Sequence, residues 1–278
     1  MRSVLFLVFL ALATSCQFGE KKKPANPMIE VSPIPKFVDY RIEKIDKESG
    51  PCVQDSTSKK CVLFQIEYPV ITGMLEEEVI QRINTNIEND ILSNTPVRSE
   101  SINSIAEMID QLSNSYQELL DEFDDFEQSW MVEINADILH QEQDYISIAS
   151  AIFNYTGGAH PNNSQLYRSY NLETGSPIKL SDLFLDGFQT SLNQSAEIEF
   201  RMLKEIPPTN TLESAGYWFE DDRFLLNENF AIINESLIFY FNPYEIGPYS
   251  LGATELELKL TDYVDLIDPN GPIGGLKK

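Results

Sequence analysis

The chain has 278 residues, of which 42% are hydrophobic, and 44 acidic against 20 basic residues give it a formal net charge of −24 at pH 7. This apolar fraction is enough for a packed core and excludes a chain that is disordered over most of its length. A surface with this excess of negative charge repels nucleic acids and attracts cationic partners. On charge alone, a specific cationic partner and an acidic surface kept for solubility are equally open.

The first residues have the pattern of a secretory signal. Arg2 supplies a positive charge, an apolar run extends from Val4 to Ala13, and small residues then precede Cys16. The run is too short for a lasting transmembrane helix, which needs about 20 apolar residues. A cysteine at the cleavage point resembles a bacterial lipobox, in which Cys16 becomes the lipidated first residue. The alternative is an ordinary secretory signal with a coincidental cysteine.

We therefore predict a signal peptide over residues 1–15 and a lipid anchor, such as palmitate, on Cys16. Residues 16–36 contain several lysines and prolines and are expected to form a solvated tether. The remaining sequence has no second long apolar run. We expect an extracytoplasmic lipoprotein of the bacterial cell envelope, held at the membrane by lipid alone.

Cys52 and Cys61 bracket a polar segment that is typical of a turn. In an oxidising envelope, two cysteines around a turn predict a disulfide, which here would clip a hairpin with strands at 37–45 and 61–69. The alternative is a metal site, but such a site needs further ligands, and neither histidine lies nearby in the sequence.

Two helices are predicted after the hairpin. Apolar residues recur every four positions from Leu75 to Ile91, and a second apolar face extends over 102–120. The acidic run 121–127 that follows could bind calcium through its carboxylates or could be a solvated helix end. It lacks the glycine-spaced pattern of a calcium-binding loop.

From Trp130 onward, alternating apolar residues predict a three-stranded meander followed by a hairpin and a last strand. The predicted strands are 130–140, 145–155, 165–172, 230–233, 237–241 and 254–260. A helix is predicted over 189–206, and shorter helical segments over 181–184 and 262–267. Antiparallel strands with interspersed helices indicate the α+β class.

A shaped loop is predicted between the second and third strands of the meander. Gly157 and Gly158 allow positive φ angles there, and His160 and Pro161 follow them. The His160 imidazole could act as a base, or it could form a hydrogen bond that locks the loop. His140, at the end of a strand, is expected to be an ordinary residue of the rim.

Three pieces of this chain match one family pattern. They are residues 155–160, residues 171–175 with 178–184, and residues 239–249 with Gly252. Together they resemble the extracytoplasmic module of RsiV-like anti-sigma factors, which sense lysozyme. The same module accompanies the peptidoglycan deacetylase PdaC. The resemblance covers roughly residues 37–267.

The resemblance implies a two-part α+β module with antiparallel sheets and packed helices. The smaller part, a hairpin plus helices, is expected at 37–127. The larger part, with the Gly-Gly-Ala-His loop, is expected at 128–268, and residues 269–278 form a tail. The sequence carries neither the sigma-binding and transmembrane segments of such sensors nor the catalytic domain of the deacetylase, so only the binding module carries over.

We therefore expect a non-catalytic binding module that captures a cationic protein such as lysozyme. No metal or cofactor motif is found at recognisable spacing, so we expect neither group. The residues predicted to bind are Tyr155, Gly157, Gly158, His160, Tyr217, Trp218, Tyr244, Glu245 and Tyr249. Core packing is the alternative for the aromatic residues, above all for Trp218. The alternative function is a cell-wall glycan-binding or hydrolytic protein that uses His160.

Overall fold

The structure, a computed structural model, describes residues 37–96 and 102–277. Both ranges belong to one compact unit of the chain. Cys16, the predicted signal peptide and the predicted tether lie outside the described residues, so the lipid anchor stays a prediction. Within the described ranges, no helix has the length and apolar character needed to cross a membrane.

The described elements confirm an α+β fold with packed helices and sheets in which every strand pair but one is antiparallel. The strands are β1 (Asp39–Ser49), β2 (Val62–Gly73), β3 (Trp130–Gln141), β4 (Tyr145–Tyr155), β5 (Asn162–Asn171), β6 (Phe230–Ile233), β7 (Ser236–Phe241) and β8 (Thr254–Lys259). The α-helices are α1 (Glu77–Leu92), α2 (Ile105–Glu122), α3 (Leu180–Leu183) and α4 (Phe188–Leu203). A 3-10 helix, Leu260–Leu266, takes the place of the predicted terminal helix.

Strands β1 and β2 form the predicted hairpin. They pair antiparallel as far as Ser49, which lies opposite Val62. A disulfide joins Cys52 and Cys61 across the connecting turn, and their Cα atoms are 5.4 Å apart. The predicted disulfide is therefore confirmed, and it closes the end of the hairpin covalently.

Helices α1 and α2 pack an apolar stripe onto one face of the sheet. Ile83, Ile87 and Ile91 of α1 are at most 2% exposed, which matches their four-residue spacing. Helix α2 begins after Ser104, whose Oγ accepts a hydrogen bond of 3.2 Å from the backbone N–H of Glu107. This N-cap satisfies one of the free N–H groups at the helix start.

The same two helices connect β2 to β3, and these strands pair in parallel, with Val62 opposite Trp130. A parallel pair needs a long crossover connection, which α1 and α2 supply. The resulting five-stranded sheet has the order β1-β2-β3-β4-β5. It continues across residue 128, where the sequence predicts the boundary between the smaller and the larger part.

The second sheet contains β6, β7 and β8 in that order, and all its pairs are antiparallel. Leu192 and Phe200 of α4 share a buried cluster with Phe239 of β7. Helix α4 ends at Leu203, before the predicted end at 206. It stops because Glu205 has a φ of 54°, which a right-handed helix does not allow.

Two asparagines join the edge of the first sheet to the second. Asn229 Oδ1 accepts a hydrogen bond from the Tyr167 backbone N–H (2.6 Å), and Asn242 Oδ1 accepts one from that of Gln165 (2.7 Å). Both amide nitrogens also donate to the Gln165 carbonyl, at 2.8 and 3.1 Å. Because β5 is an edge strand, these side chains satisfy backbone groups that would otherwise be open to pairing.

Candidate functional site

The loop between β4 and β5 takes its shape from two glycines and one tyrosine. Gly157 and Gly158 have φ angles of 107° and 94°, a region that glycine enters without strain. The Tyr155 hydroxyl donates a hydrogen bond to the Gly158 carbonyl (3.0 Å) and accepts one from Gln128 Nε2. These predicted binding residues therefore hold the loop in shape and position His160 at its exposed end.

Three rings from two loops lie next to one another on the surface, with one pair stacked and the other tilted, and we call them the aromatic row. The His160 ring lies 5.8 Å from that of Tyr249, with an angle of 13° between their planes. The Tyr249 ring is in turn 5.4 Å from that of Tyr244. Tyr244 is 61% exposed and Tyr249 43%. The fold thus brings His160 together with two predicted binding residues that lie 84 and 89 positions later in the sequence.

Glu245 braces the loop that carries the two tyrosines. Its Oε2 accepts a hydrogen bond of 2.8 Å from the backbone N–H of Asn242, and its Oε1 accepts one of 2.6 Å from Asn227 Nδ2. The carboxylate is therefore engaged within its own part of the fold. Neighbouring Tyr244 has a φ of 69°, a left-handed conformation that turns the chain at this point.

Adjacent residues Tyr217 and Trp218 differ sharply in exposure. Tyr217 is 6% exposed and packs edge-on against Phe200, with ring centroids 4.9 Å apart. Trp218 is 57% exposed, and its backbone N–H donates to the Ile246 carbonyl (2.9 Å). Core packing, the alternative weighed for these aromatics, thus applies to Tyr217, whereas Trp218 lies on a loop bonded to the one that carries Tyr244.

The His160 side chain makes an aromatic contact rather than a hydrogen bond within its own loop. Among the described residues, the His160 ring contacts the Tyr249 ring on another loop. In the described part of the chain, the His160 imidazole forms no hydrogen bond that would lock its own loop and no ion pair with a carboxylate. The arrangement suits a contact surface, because an imidazole stacked on an exposed phenol offers an aromatic face to a partner.

Sequence reasoning missed the residues that support and extend this surface. Leu251, 37% exposed, lies beside Gly216, whose added Cβ would be 3.6 Å from Leu251 Cδ1. The Asn227 side chain and the Asn242 backbone N–H hold Glu245, but no local pattern marks either group as a brace. The glycines and prolines of residues 243–252 were the available signal that this loop is built to a fixed shape.

Two family models match separate stretches of the chain. Residues 56–163 match the model described as Deacetylase PdaC, and residues 181–261 match the one described as Protein of unknown function (DUF3298).

Two solved structures share the fold. A DUF3298 family member from Bacteroides fragilis is 18% identical, with a TM-score of 0.68, and the alignment covers 86% of this chain and 97% of that one. A DUF3298 family protein from Pseudomonas aeruginosa is also 18% identical, with a TM-score of 0.60 and coverage of 86% and 96%. At this identity the likeness speaks for the fold alone.

One curated relative carries a functional name. Esterase Rv3036c of Mycobacterium tuberculosis is 34% identical over 119 residues, which make up 40% of this chain. The match covers 48% of that protein, so this chain spans about half the length of the relative.

The fold and the matches define the class of protein. It is a two-part α+β module, and the match to the PdaC model over residues 56–163 points to an extracytoplasmic one. The PdaC and DUF3298 matches, together with the DUF3298 structures, fit an RsiV-like module of the kind found beside PdaC, and the predicted resemblance is confirmed.

Proposed function

We propose that this protein is a non-catalytic binding module of the cell envelope that captures a cationic protein, with a c-type lysozyme as the first candidate. The observation that carries the proposal is the aromatic row of His160, Tyr249 and Tyr244, exposed on a chain of net charge −24. Interface energy is concentrated in a few aromatic anchors, so an exposed, braced row of this kind is suited to be one.

Charge complementarity favours a cationic partner for this surface. Glu220, which is exposed, follows closely after Trp218, whereas the Asp221 carboxylate is paired with Arg223 at 3.2 Å. Tyr and Trp faces attract Arg and Lys side chains. Negative charge speeds encounter with a basic protein and rejects acidic ones. The long-range part of this attraction is screened at physiological salt, whereas contacts with the aromatic row are not.

The test is a binding titration of the full-length chain with a c-type lysozyme at low salt and at about 150 mM NaCl. We expect saturable binding at both, with affinity about 10-fold or more weaker in Tyr244→Ala and Tyr249→Ala. Tyr40→Ala is the matched control, since Tyr40 is 41% exposed on β1. Binding confined to low salt, or weakened equally by all three substitutions, would reduce the interaction to general charge attraction.

Hydrolysis is the second candidate, and the identity to a protein named as an esterase favours it. His160 would then be the base. Its stacking on Tyr249, and the hydrogen bonds that engage Glu245, speak for binding instead. The test is hydrolysis of p-nitrophenyl acetate: a rate above the buffer rate that His160→Ala abolishes would establish the enzyme and contradict the non-catalytic proposal.

We also propose the lipid anchor on Cys16, on the strength of the sequence pattern at residues 1–16. Its test is the partition of the expressed chain between membrane and soluble fractions, with labelled palmitate as a tracer. Label and membrane association lost together in Cys16→Ala would support the anchor. Membrane association that persists in this variant would refute it.

A further inference from the structure

A cavity of about 770 Å³ lies elsewhere in the molecule and shares no lining residue with the aromatic row. Its walls are the β3–β4 turn at 142–145, the β6–β7 turn at 234–236, the end of β8 and the C-terminal segment at 272–276. Volumes of about 300–1,000 Å³ are typical of small-molecule sites.

Carboxylates from two different turns line this cavity. Glu142 and Asp144 come from the first turn and Glu235 from the second, while Lys259 is the basic residue of the lining. The side chains of Asp144 and Glu235 make no hydrogen bond or ion pair with another described residue. The lining therefore carries an excess of negative charge that the described part of the chain does not neutralise.

A buried histidine stands behind one of these carboxylates. His140, predicted as a rim residue, is only 8% exposed, and its Nε2 points to Glu142 Oε1 at 3.3 Å. This Nε2 atom makes no hydrogen bond to any described group. His140 is not part of the lining, so its contact with Glu142 makes it a reporter for a ligand that binds this carboxylate.

The remaining wall is apolar. Ile273, 4% exposed, and Leu276 line the cavity together with Tyr145, which is also 4% exposed. Burial, and then the nearby charges of Glu142 and Asp144, raise the pKa of Tyr145 well above its usual range. The phenol therefore stays neutral and adds no charge to this wall.

The lining suits an organic cation better than a metal ion. Among the described residues, one group of potential metal ligands has its ligand atoms within 4.8 Å of one another, namely Glu48, Cys52 and Cys61. The two cysteines of this group form the disulfide, so they are not available as metal ligands. The cavity carboxylates are too far apart for such a cluster but line a space that a longer molecule can fill.

We propose that this cavity binds an aliphatic amine, whose ammonium groups contact the carboxylates of Glu142, Asp144 and Glu235. The methylene chain of the amine lies against Ile273, Leu276 and the Tyr145 ring. Ammonium groups are donors without acceptor capacity, so they complement a lining rich in carboxylate acceptors. This inference is independent of the proposed capture of a cationic protein.

The first experiment is calorimetric titration of the full-length chain with spermidine at about 150 mM NaCl. We expect one saturable site, weakened about 10-fold by Asp144→Asn or by Glu235→Gln, since each removes one charged acceptor. Glu118→Gln is the matched control, because Glu118 is an exposed acid on α2 outside the cavity lining. Equal weakening in the control, or no saturable binding, would overturn the proposal.

A second measurement locates the site by proton NMR. The chain has two histidines, so the imidazole signals of His140 and His160 can be assigned with His160→Ala. Spermidine should shift the His140 signal and leave that of His160 unchanged. Shifts of His160 alone, or of neither, would contradict binding at this cavity.

Two further ligands distinguish the possible sources of the amine, a free polyamine and a lysine side chain of a peptide. Binding of spermidine but not of Nα-acetyl-lysine amide would indicate a free polyamine, whereas binding of both would indicate that the site also accepts a lysine side chain of a peptide. Hexane-1,6-diol, which has the chain but no charge, should not bind. If it binds as well as spermidine, the carboxylates are not the basis of recognition and the proposal fails.

Discussion

At the scale of single residues, residues of the same chemical kind take different roles. Tyr217 is buried against Phe200 whereas Trp218 is exposed. Gly175 and Gly187 both have positive φ angles, but only Gly175 also approaches another element closely. A Cβ at Gly175 would lie 2.9 Å from the Val79 carbonyl oxygen of α1, while one at Gly187 would meet nothing within 4 Å.

Replacement of Gly175 by alanine should lower the free energy of unfolding by about 1–3 kcal/mol, because the turn after β5 must move away from α1. Gly187→Ala should cost less, since it carries only the backbone strain of its positive φ. Urea unfolding of both variants measures the difference. Equal losses would mean that the close approach to Val79 adds nothing.

Tyr68 predicts a loss of stability at alkaline pH. Burial, and then the charge of Glu88, raise its pKa to about 12 in the folded chain from the ordinary value of 10.0. The folded state therefore disfavours the phenolate, and the stabilising difference, complete below pH 10, is lost as pH rises through the interval from 10 to about 12. In Tyr68→Phe, the fall in unfolding free energy across that interval should be smaller. An unchanged slope would contradict the assignment.

At the scale of elements, pairing depends on partners distant in sequence. Strand β2 pairs with β3 across both helices, and β5 reaches the second sheet through asparagine side chains. A buried set of hydrogen bonds adds a second link: Ser147 Oγ donates to the Ile232 carbonyl (2.6 Å), and the Ile232 N–H donates to Ser169 Oγ (3.0 Å). Polar groups buried at this junction are thus satisfied between elements.

Asn229→Ala should destabilise the protein by about 1–3 kcal/mol, because it leaves the Tyr167 N–H without its acceptor at a part-buried edge. Asn163→Ala is the control, since Asn163 is an exposed residue of β5, the strand that carries Tyr167. Thermal unfolding compares the two. Hydrogen exchange should also show faster exchange of the Tyr167 amide in the first variant only. If the Tyr167 amide stays protected from hydrogen exchange in Asn229→Ala, the asparagine is not the group that protects it.

At the scale of the whole molecule, the net charge of −24 acts on every part of the fold. Ion pairs that would offset it are few and largely exposed in the described ranges, such as Lys44 with Glu67 at 2.8 Å. Self-repulsion of like charges therefore opposes the compact state, and salt screens it.

The melting temperature should accordingly rise between about 10 mM and 150 mM NaCl, over which the screening length shortens from about 30 Å to about 8 Å. Differential scanning calorimetry at the two salt concentrations measures the change. The control sample at about 10 mM NaCl contains a neutral osmolyte that raises its osmolarity to that of the sample at about 150 mM NaCl. A melting temperature that stays constant or falls with salt would mean that favourable ion pairs outweigh the repulsion.

The sequence by itself determined the α+β class, the disulfide, the amphipathic helices and the loop around Gly157 and Gly158, because each depends on spacing or conformational preference within a short stretch. Only the tertiary structure decided the parallel pairing of β2 with β3, the burial of Tyr217 and His140, and the stacking of His160 on Tyr249. These features join residues far apart in the chain. Local periodicity carries no information on which distant surfaces meet, and that choice is made by packing of the assembled core.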